Sequence, residues 1–149
     1  MPTFFVDSSA LVKRYRNEEG SPRVSELLEG AERLLAARLT VVEISSALIR
    51  RARVSRMPAE QLRSVIATID RDFRESFDLI ELDEPVMELA VAMARKHGLR
   101  GADAIQLACV VLAQNDTPDA QIVLLSSDDE LNAAASVEGL QVENPNLHP

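Results

Sequence analysis

Ile122-Val123-Leu124-Leu125 is an unbroken apolar tetrad between a polar loop at residues 115–120 and the run Ser126-Ser127-Asp128-Asp129. Its length and its lack of polar alternation describe a strand covered on both faces, which suits the centre of a parallel sheet. Thr3-Phe4-Phe5-Val6, just before Asp7, is a second buried strand of the same kind. Between these two runs the pattern alternates. Residues 8 to about 18 carry Leu11, Val12 and Tyr15 at helical spacing, and Ser21-Pro22 opens another helix with Ser21 as the expected cap. Gly30 closes it, Leu34-Leu35-Ala36 is a weaker strand, and a long helix follows from residue 41 to about 53. Pro58 begins a helix to about Ser76, residues 78–82 form a short strand, and the helix opened by Pro85 ends near His97 and Gly98. Residues 102–115 are apolar on nearly every side, as in a helix packed inside the molecule. Residues 127–138 form a helix closed by Gly139, and residues 140–142 are a candidate edge strand. Such alternation predicts an α/β sandwich with a mainly parallel central sheet, in one domain over residues 1–149.

Composition narrows the chemistry. With 46% hydrophobic and 27% charged residues, the chain can build a core and is not of the disordered class. The single cysteine, Cys109, rules out an internal disulfide framework and a cysteine-based zinc site, and it reads as an inert small hydrophobe. Two histidines, one of them at the tail, rule out a His-rich metal site and a two-histidine ribonuclease mechanism; His97 reads as a helix C-terminus. No apolar run approaches the ~18 residues that span a bilayer, and no signal-peptide core is present, so a cytoplasmic protein without membrane association is expected. All 16 Lys and Arg lie in residues 1–100, balanced there by 16 acids, whereas residues 101–149 hold 8 acids and no base. A phosphate-binding surface must therefore come from the first two thirds, where Arg50, Arg51, Arg53 and Arg56 cluster. The plain alternative for that cluster is a solvated helix face.

In open α/β sheets the ligand crevice lies beyond the carboxyl ends of the strands. Asp7 follows the first strand, Glu43 lies near the start of the helix after the second, Asp103 occupies the first turn of the buried helix, and Asp128 follows the tetrad. Each has a structural role open to it. Asp7 suits an N-cap, and both Thr40-Val41-Val42-Glu43 and Ser127-Asp128-Asp129-Glu130 fit a capping box. Asp103, in a first helical turn where an acid is also favoured, is harder to explain by capping, because its neighbours in Gly101-Ala102-Asp103-Ala104-Ile105 are small or apolar. Two carboxylates ~6 Å apart repel by roughly 3 kcal/mol at an effective dielectric of ~20. Several on one rim require protons or a cation, and an all-oxygen donor set suits Mg²⁺ or Mn²⁺.

Four stretches, Phe5-Val6-Asp7-Ser8-Ser9-Ala10-Leu11, Leu39-Thr40-Val41-Val42-Glu43-Ile44, Arg100-Gly101-Ala102-Asp103-Ala104-Ile105 and Leu125-Ser126-Ser127-Asp128, resemble the four motifs of PIN-domain nucleases. Their order and spacing, with Glu18-Glu19-Gly20-Ser21, are most similar to those of the VapC toxins of toxin–antitoxin pairs. The resemblance implies a PIN-like α/β/α sandwich and a Mg²⁺- or Mn²⁺-dependent endoribonuclease that hydrolyses RNA phosphodiesters with a metal-activated water. It also implies a homodimer and a VapB-type antitoxin partner that places an Arg-bearing segment in the active-site groove. Carried over, Asp7, Glu43, Asp103 and Asp128 form the metal site, with Asp7, Glu43 and Asp103 catalytic, and Ser8 and Ser126 are the supporting hydroxyls. The doublet Asp128-Asp129 leaves the fourth position open between the two.

With one tyrosine and four phenylalanines there is little material for stacking bases, so RNA would be read by shape and backbone through Arg50 to Arg56. Phe4 and Phe5 belong in the core, and Phe73 with Phe77 in the core or a dimer seam. Two other readings compete. A phosphatase of the haloacid-dehalogenase type also places Asp after its first strand, but it needs a second Asp where this chain has Ser9, and Lys96 is its one candidate lysine. A catalytically silent PIN-like interaction module would retain the fold without turnover.

Overall fold

The computed structural model describes residues 2–147. β1 (Thr3–Val6), β2 (Arg33–Ala37), β3 (Phe77–Ile80), β4 (Ile122–Leu125) and β5 (Gln141–Glu143) form one sheet in the order β3-β2-β1-β4-β5, and every neighbouring pair is parallel. The two apolar runs lie side by side at its centre, with Phe5 opposite Leu124 and Val6 opposite Leu125. Because strand side chains alternate between faces, the sheet divides its residues between two cores. Phe5, Leu35, Ala37, Ile122 and Leu124 face the layer built by α5 (Glu84–His97), α6 (Gly101–Asp116) and α7 (Asp129–Val137). Phe4, Val6, Ala36, Phe77 and Leu125 face α1 (Ser8–Tyr15), α2 (Ser21–Glu29), α3 (Arg38–Ser55) and α4 (Ala59–Glu75). The result is a three-layer α/β/α sandwich. No helix of the described residues is long and apolar enough to cross a membrane.

Several boundaries differ from the sequence reading, each for a local reason. α1 ends at Tyr15 rather than near residue 18, since Lys13 donates to Glu18 and to the Glu19 carbonyl and so folds the following loop back on the helix. Ser21 is the first residue of α2, not its cap. Gly20 caps it at φ +85°, and an added Cβ there would meet the Pro145 carbonyl oxygen at 3.0 Å. α3 begins at Arg38, three residues before the expected start, so Thr40 and Glu43 lie inside the helix and form no capping box. The N-cap of α7 is Asp128, whose Oδ1 accepts from the Leu131 N–H, and Ser127 is not a cap. β3 occupies Phe77–Ile80 instead of residues 78–82, which places Phe77 in the core against Phe73 with ring centroids 5.6 Å apart. Cys109 is buried on α6, and burial pushes its thiol up to about 12, as an inert side chain requires.

Phe5 is completely buried at the centre of the sheet. Phe5→Ala is expected to lower the unfolding free energy by about 3–5 kcal/mol, the usual loss for a truncated core aromatic, as measured by urea titration. A loss below about 1 kcal/mol would contradict this placement.

Candidate active site

In this strand order the chain runs outward from β1 through β2 to β3, then returns to the other side of β1 with β4. In open α/β sheets the crevice lies at the carboxyl ends where the direction reverses, which here is between β1 and β4. Asp7 stands directly after β1 and Ser126 to Asp128 directly after β4, and the Asp7 N–H donates to the Leu125 carbonyl at 3.1 Å. Ser9 fastens the two loops together. Its Oγ donates to Asp7 Oδ1 (2.7 Å) and accepts from the Ser127 N–H (3.0 Å), while Ser127 Oγ donates to the Ser9 carbonyl (3.2 Å).

All four sequence-selected acids border this crevice, and each has a distinct local setting. Asp7 is buried and caps α1 through Oδ1, which accepts from the Ala10 N–H. Burial pushes its carboxyl up to about 7 against the opposing hydrogen bonds of Ser9, Ala10 and Ser126, and the negative charge of Asp128 adds to the rise. Asp103, in the first turn of α6, accepts no hydrogen bond from the described residues. Partial burial raises its pKa, and the charges of Asp128 and Glu43 raise it further, with Arg100 opposing. Glu43 projects from the second turn of α3, and its Oε1 accepts from Ser8 Oγ (2.7 Å) and Gln106 Nε2 (3.0 Å). Asp128 couples electrostatically to both Asp7 and Asp103, whereas Asp129 is exposed in the first turn of α7. The geometry thus separates the doublet.

Capping and service at the site do not exclude one another, because a carboxylate has two oxygens. Asp7 and Asp128 each use Oδ1 on local backbone, and Glu43 uses Oε1 on two side chains. The acids influence one another through charge, but among the described residues no group of three or more His, Cys, Asp or Glu stands close enough together to hold a metal ion by itself. An open rim of oxygen donors suits a hard cation that retains part of its water shell. The all-oxygen donor set and the raised carboxyls of Asp7 and Asp103, each coupled to Asp128, fit such an ion.

The two proposed hydroxyls have different duties. Ser8 holds Glu43, and Ser126, fully buried, accepts from the Asp128 N–H at 3.1 Å and lies 3.4 Å from Ser9 Oγ. Ser9, Thr40 and Gln106 were not selected from the sequence. Gln106 was the most visible of them, as the one polar side chain in the otherwise apolar stretch 104–113. Arg50, Arg51, Arg53 and Arg56 are exposed along the last half of α3 and beyond its end, and none forms an ion pair with a described residue. Arg50 is seven residues after Glu43, hence on the same helix face about 10 Å farther along. His97 lies at the end of α5 and pairs with Glu138 at 2.7 Å, consistent with a helix terminus rather than a base at the acidic rim.

Comparison with known proteins agrees with this geometry. The PIN domain family model matches residues 4–137, and the chain belongs to the PIN-domain family, whose fold is a nuclease fold. Over an alignment of 152 positions covering all of both chains, it is 32% identical to ribonuclease VapC45 of Mycobacterium tuberculosis. It shares its fold with Mycobacterium tuberculosis VapC20, a toxin that cleaves the sarcin–ricin loop (TM-score 0.65, 15% identity, 88% of this chain and 94% of that one). It also shares its fold with a chain from a toxin–antitoxin complex of Klebsiella pneumoniae (TM-score 0.63, 17% identity, 97% and 98% covered). PIN-domain VapC nucleases are generally dependent on a divalent metal.

The elevated Asp7 carboxyl has a signed consequence. Between pH 4 and 7 the folded protein retains a proton that the unfolded chain has released, so this group's contribution to stability is lost as pH rises toward 7. Without divalent metal, wild type should therefore lose more stability than Asp7→Asn between pH 5 and 8, on the order of 2–4 kcal/mol by paired urea titrations. Adding Mn²⁺ should stabilise wild type more at pH 8 than at pH 5. Parallel pH profiles of the two proteins would contradict the assignment.

Proposed function

We propose that the chain is a divalent-metal-dependent endoribonuclease whose acidic site is Asp7, Glu43, Asp103 and Asp128, and that it is the toxin of a VapBC-type pair. The observation that carries this reading is the electrostatic coupling of acids from four separate stretches, with Asp103 raised by Asp128 and Glu43, at the β1–β4 crevice. The ribonuclease name of a full-length relative at 32% identity supports RNA as substrate. VapBC complexes among the structural neighbours support a VapB-type antitoxin as partner. A cytoplasmic site of action, a single domain over the chain and a homodimer complete the proposal.

Asp7 and Asp103 would hold the ion, Mg²⁺ or Mn²⁺, with Asp128 beside them. A bound ion of this kind stabilises charge developing on a phosphodiester and makes water a competent nucleophile at neutral pH. Glu43 would accept a hydrogen bond from the attacking water at Oε2 and orient it, since Ser8 and Gln106 occupy Oε1. Ser9 and Ser126 keep Asp7 and the β4 loop in register. Arg50, on the same face of α3 as Glu43, and its neighbours Arg51, Arg53 and Arg56 neutralise phosphates along the approach to the site. The phosphatase alternative fits less well, because Ser9 at the second-acid position donates to Asp7.

Asp7→Asn and Asp103→Asn should each reduce cleavage of a fluorescent RNA by at least about 100-fold, with a chelator abolishing it and Mg²⁺ or Mn²⁺ restoring it. Undiminished cleavage by both variants would overturn the site. In Arg50→Ala/Arg53→Ala, RNA binding should weaken and the slope of log affinity against log salt should fall by about 1–1.5. An unchanged slope would return the arginines to a solvated face.

A further inference from the structure

Gln106 is only 2% exposed, yet it is a long polar side chain on the most apolar helix of the molecule. Such a group costs stability unless its polar atoms are bonded. Its orientation follows from its partners. Glu43 Oε1, the carboxylate oxygen 3.0 Å away, can only accept, so the Gln106 atom facing it is Nε2, which also donates to Thr40 Oγ1 at 2.9 Å. The other amide atom, Oε1, is buried and has no hydrogen-bond partner among the described residues. Thr40 itself is fully buried on α3, one turn before Glu43, so the amide is clamped between two positions of one helix face.

We propose that Gln106 is a positioning residue of the acidic site. One amide N–H, held in place by the other's bond to Thr40, fixes Glu43 Oε1 and leaves Oε2 free for the site. The inference rests on the metal-dependent reading above and deepens it. Asp103 and Gln106 are three residues apart on α6, so one helix face supplies both an acid of the site and the device that aims a second one from α3. Outer partners of this kind set the orientation of the oxygens that bind an ion, and their loss commonly weakens metal binding by about 10–100-fold.

The test is Mn²⁺ affinity, read from free Mn²⁺ by electron paramagnetic resonance, in wild type, Gln106→Met, Glu43→Ala and the double variant, with thermal melting as a control for folding. Gln106→Met should weaken Mn²⁺ binding about 10-fold where Glu43 is present and by less than about 2-fold in the Glu43→Ala background. An equal loss in both backgrounds, or no loss in either, would overturn the proposal. Gln106→Glu, which exchanges the donor for an acceptor while keeping the shape, should weaken binding at least as much, and it supplies the comparison if the methionine variant does not fold. Wild-type affinity in Gln106→Glu would also overturn the proposal. If wild-type protein neither binds Mn²⁺ nor cleaves RNA, the functional reading itself fails; if it does both and the Gln106 variants bind normally, only the positioning role fails.

Discussion

Repulsion among carboxylates at the carboxyl rim of the sheet is the constraint around which the molecule is arranged. Asp7, Glu43, Asp103 and Asp128 come from stretches separated by tens of residues, and the parallel order β3-β2-β1-β4-β5 brings them to one crevice. In water each acid would ionise freely. Here burial and neighbouring charge raise Asp7 and Asp103 together. A fold that evolved only to be stable has no reason to hold this arrangement, because apolar or singly capped residues would avoid the repulsion. A divalent cation turns the same repulsion into affinity.

The surrounding polar side chains keep the rim open yet ordered. One oxygen of Asp7, Glu43 and Asp128 is fixed by nearby donors, while Ser9 joins the β1 and β4 loops. Among the described residues the acids do not gather into a group that could hold an ion by itself. The donor bonds keep the side chains in place in the free protein, so on the proposed reading little ordering would remain to be done when an ion binds. Away from the crevice, Arg14 and Tyr15 on α1 both donate to the buried Asp72 on α4. Burial opposes ionisation of Asp72, but these donors outweigh it and hold its carboxyl below the usual range. The contrast is in the donors: Asp72 has a guanidinium on its carboxylate, whereas the rim acids are held by hydroxyl, amide and backbone N–H groups and by no cation among the described residues.

Much of this was legible in the residues. The tetrad Ile122–Leu125 and the run Thr3–Val6 indicated the paired central strands, because doubly covered strands leave an unbroken apolar signature. Asp103 stood out for the same kind of reason, a carboxylate among small and apolar neighbours. Helix starts were less legible. Arg38 and Leu39 carry no capping signal, so α3 begins earlier than its Thr40–Glu43 pattern suggests, and burial of Thr40 against Gln106 decides its role. The bonds of Ser9 and Gln106 could not be read, since each partner lies on another element and a lone serine or glutamine has no period. For Asp128 the capping and site readings looked like rivals in the sequence; two oxygens on one carboxylate permit both.

The most direct test is a crystal of the wild-type protein soaked in Mn²⁺, with anomalous diffraction recorded at a wavelength where manganese scatters strongly. The account predicts a dominant anomalous peak in the β1–β4 crevice within bonding distance of Asp7 and Asp103, with Glu43 and Asp128 bordering its water shell. No peak in that crevice at saturating Mn²⁺, or a dominant one on the surface remote from all four acids, would contradict it.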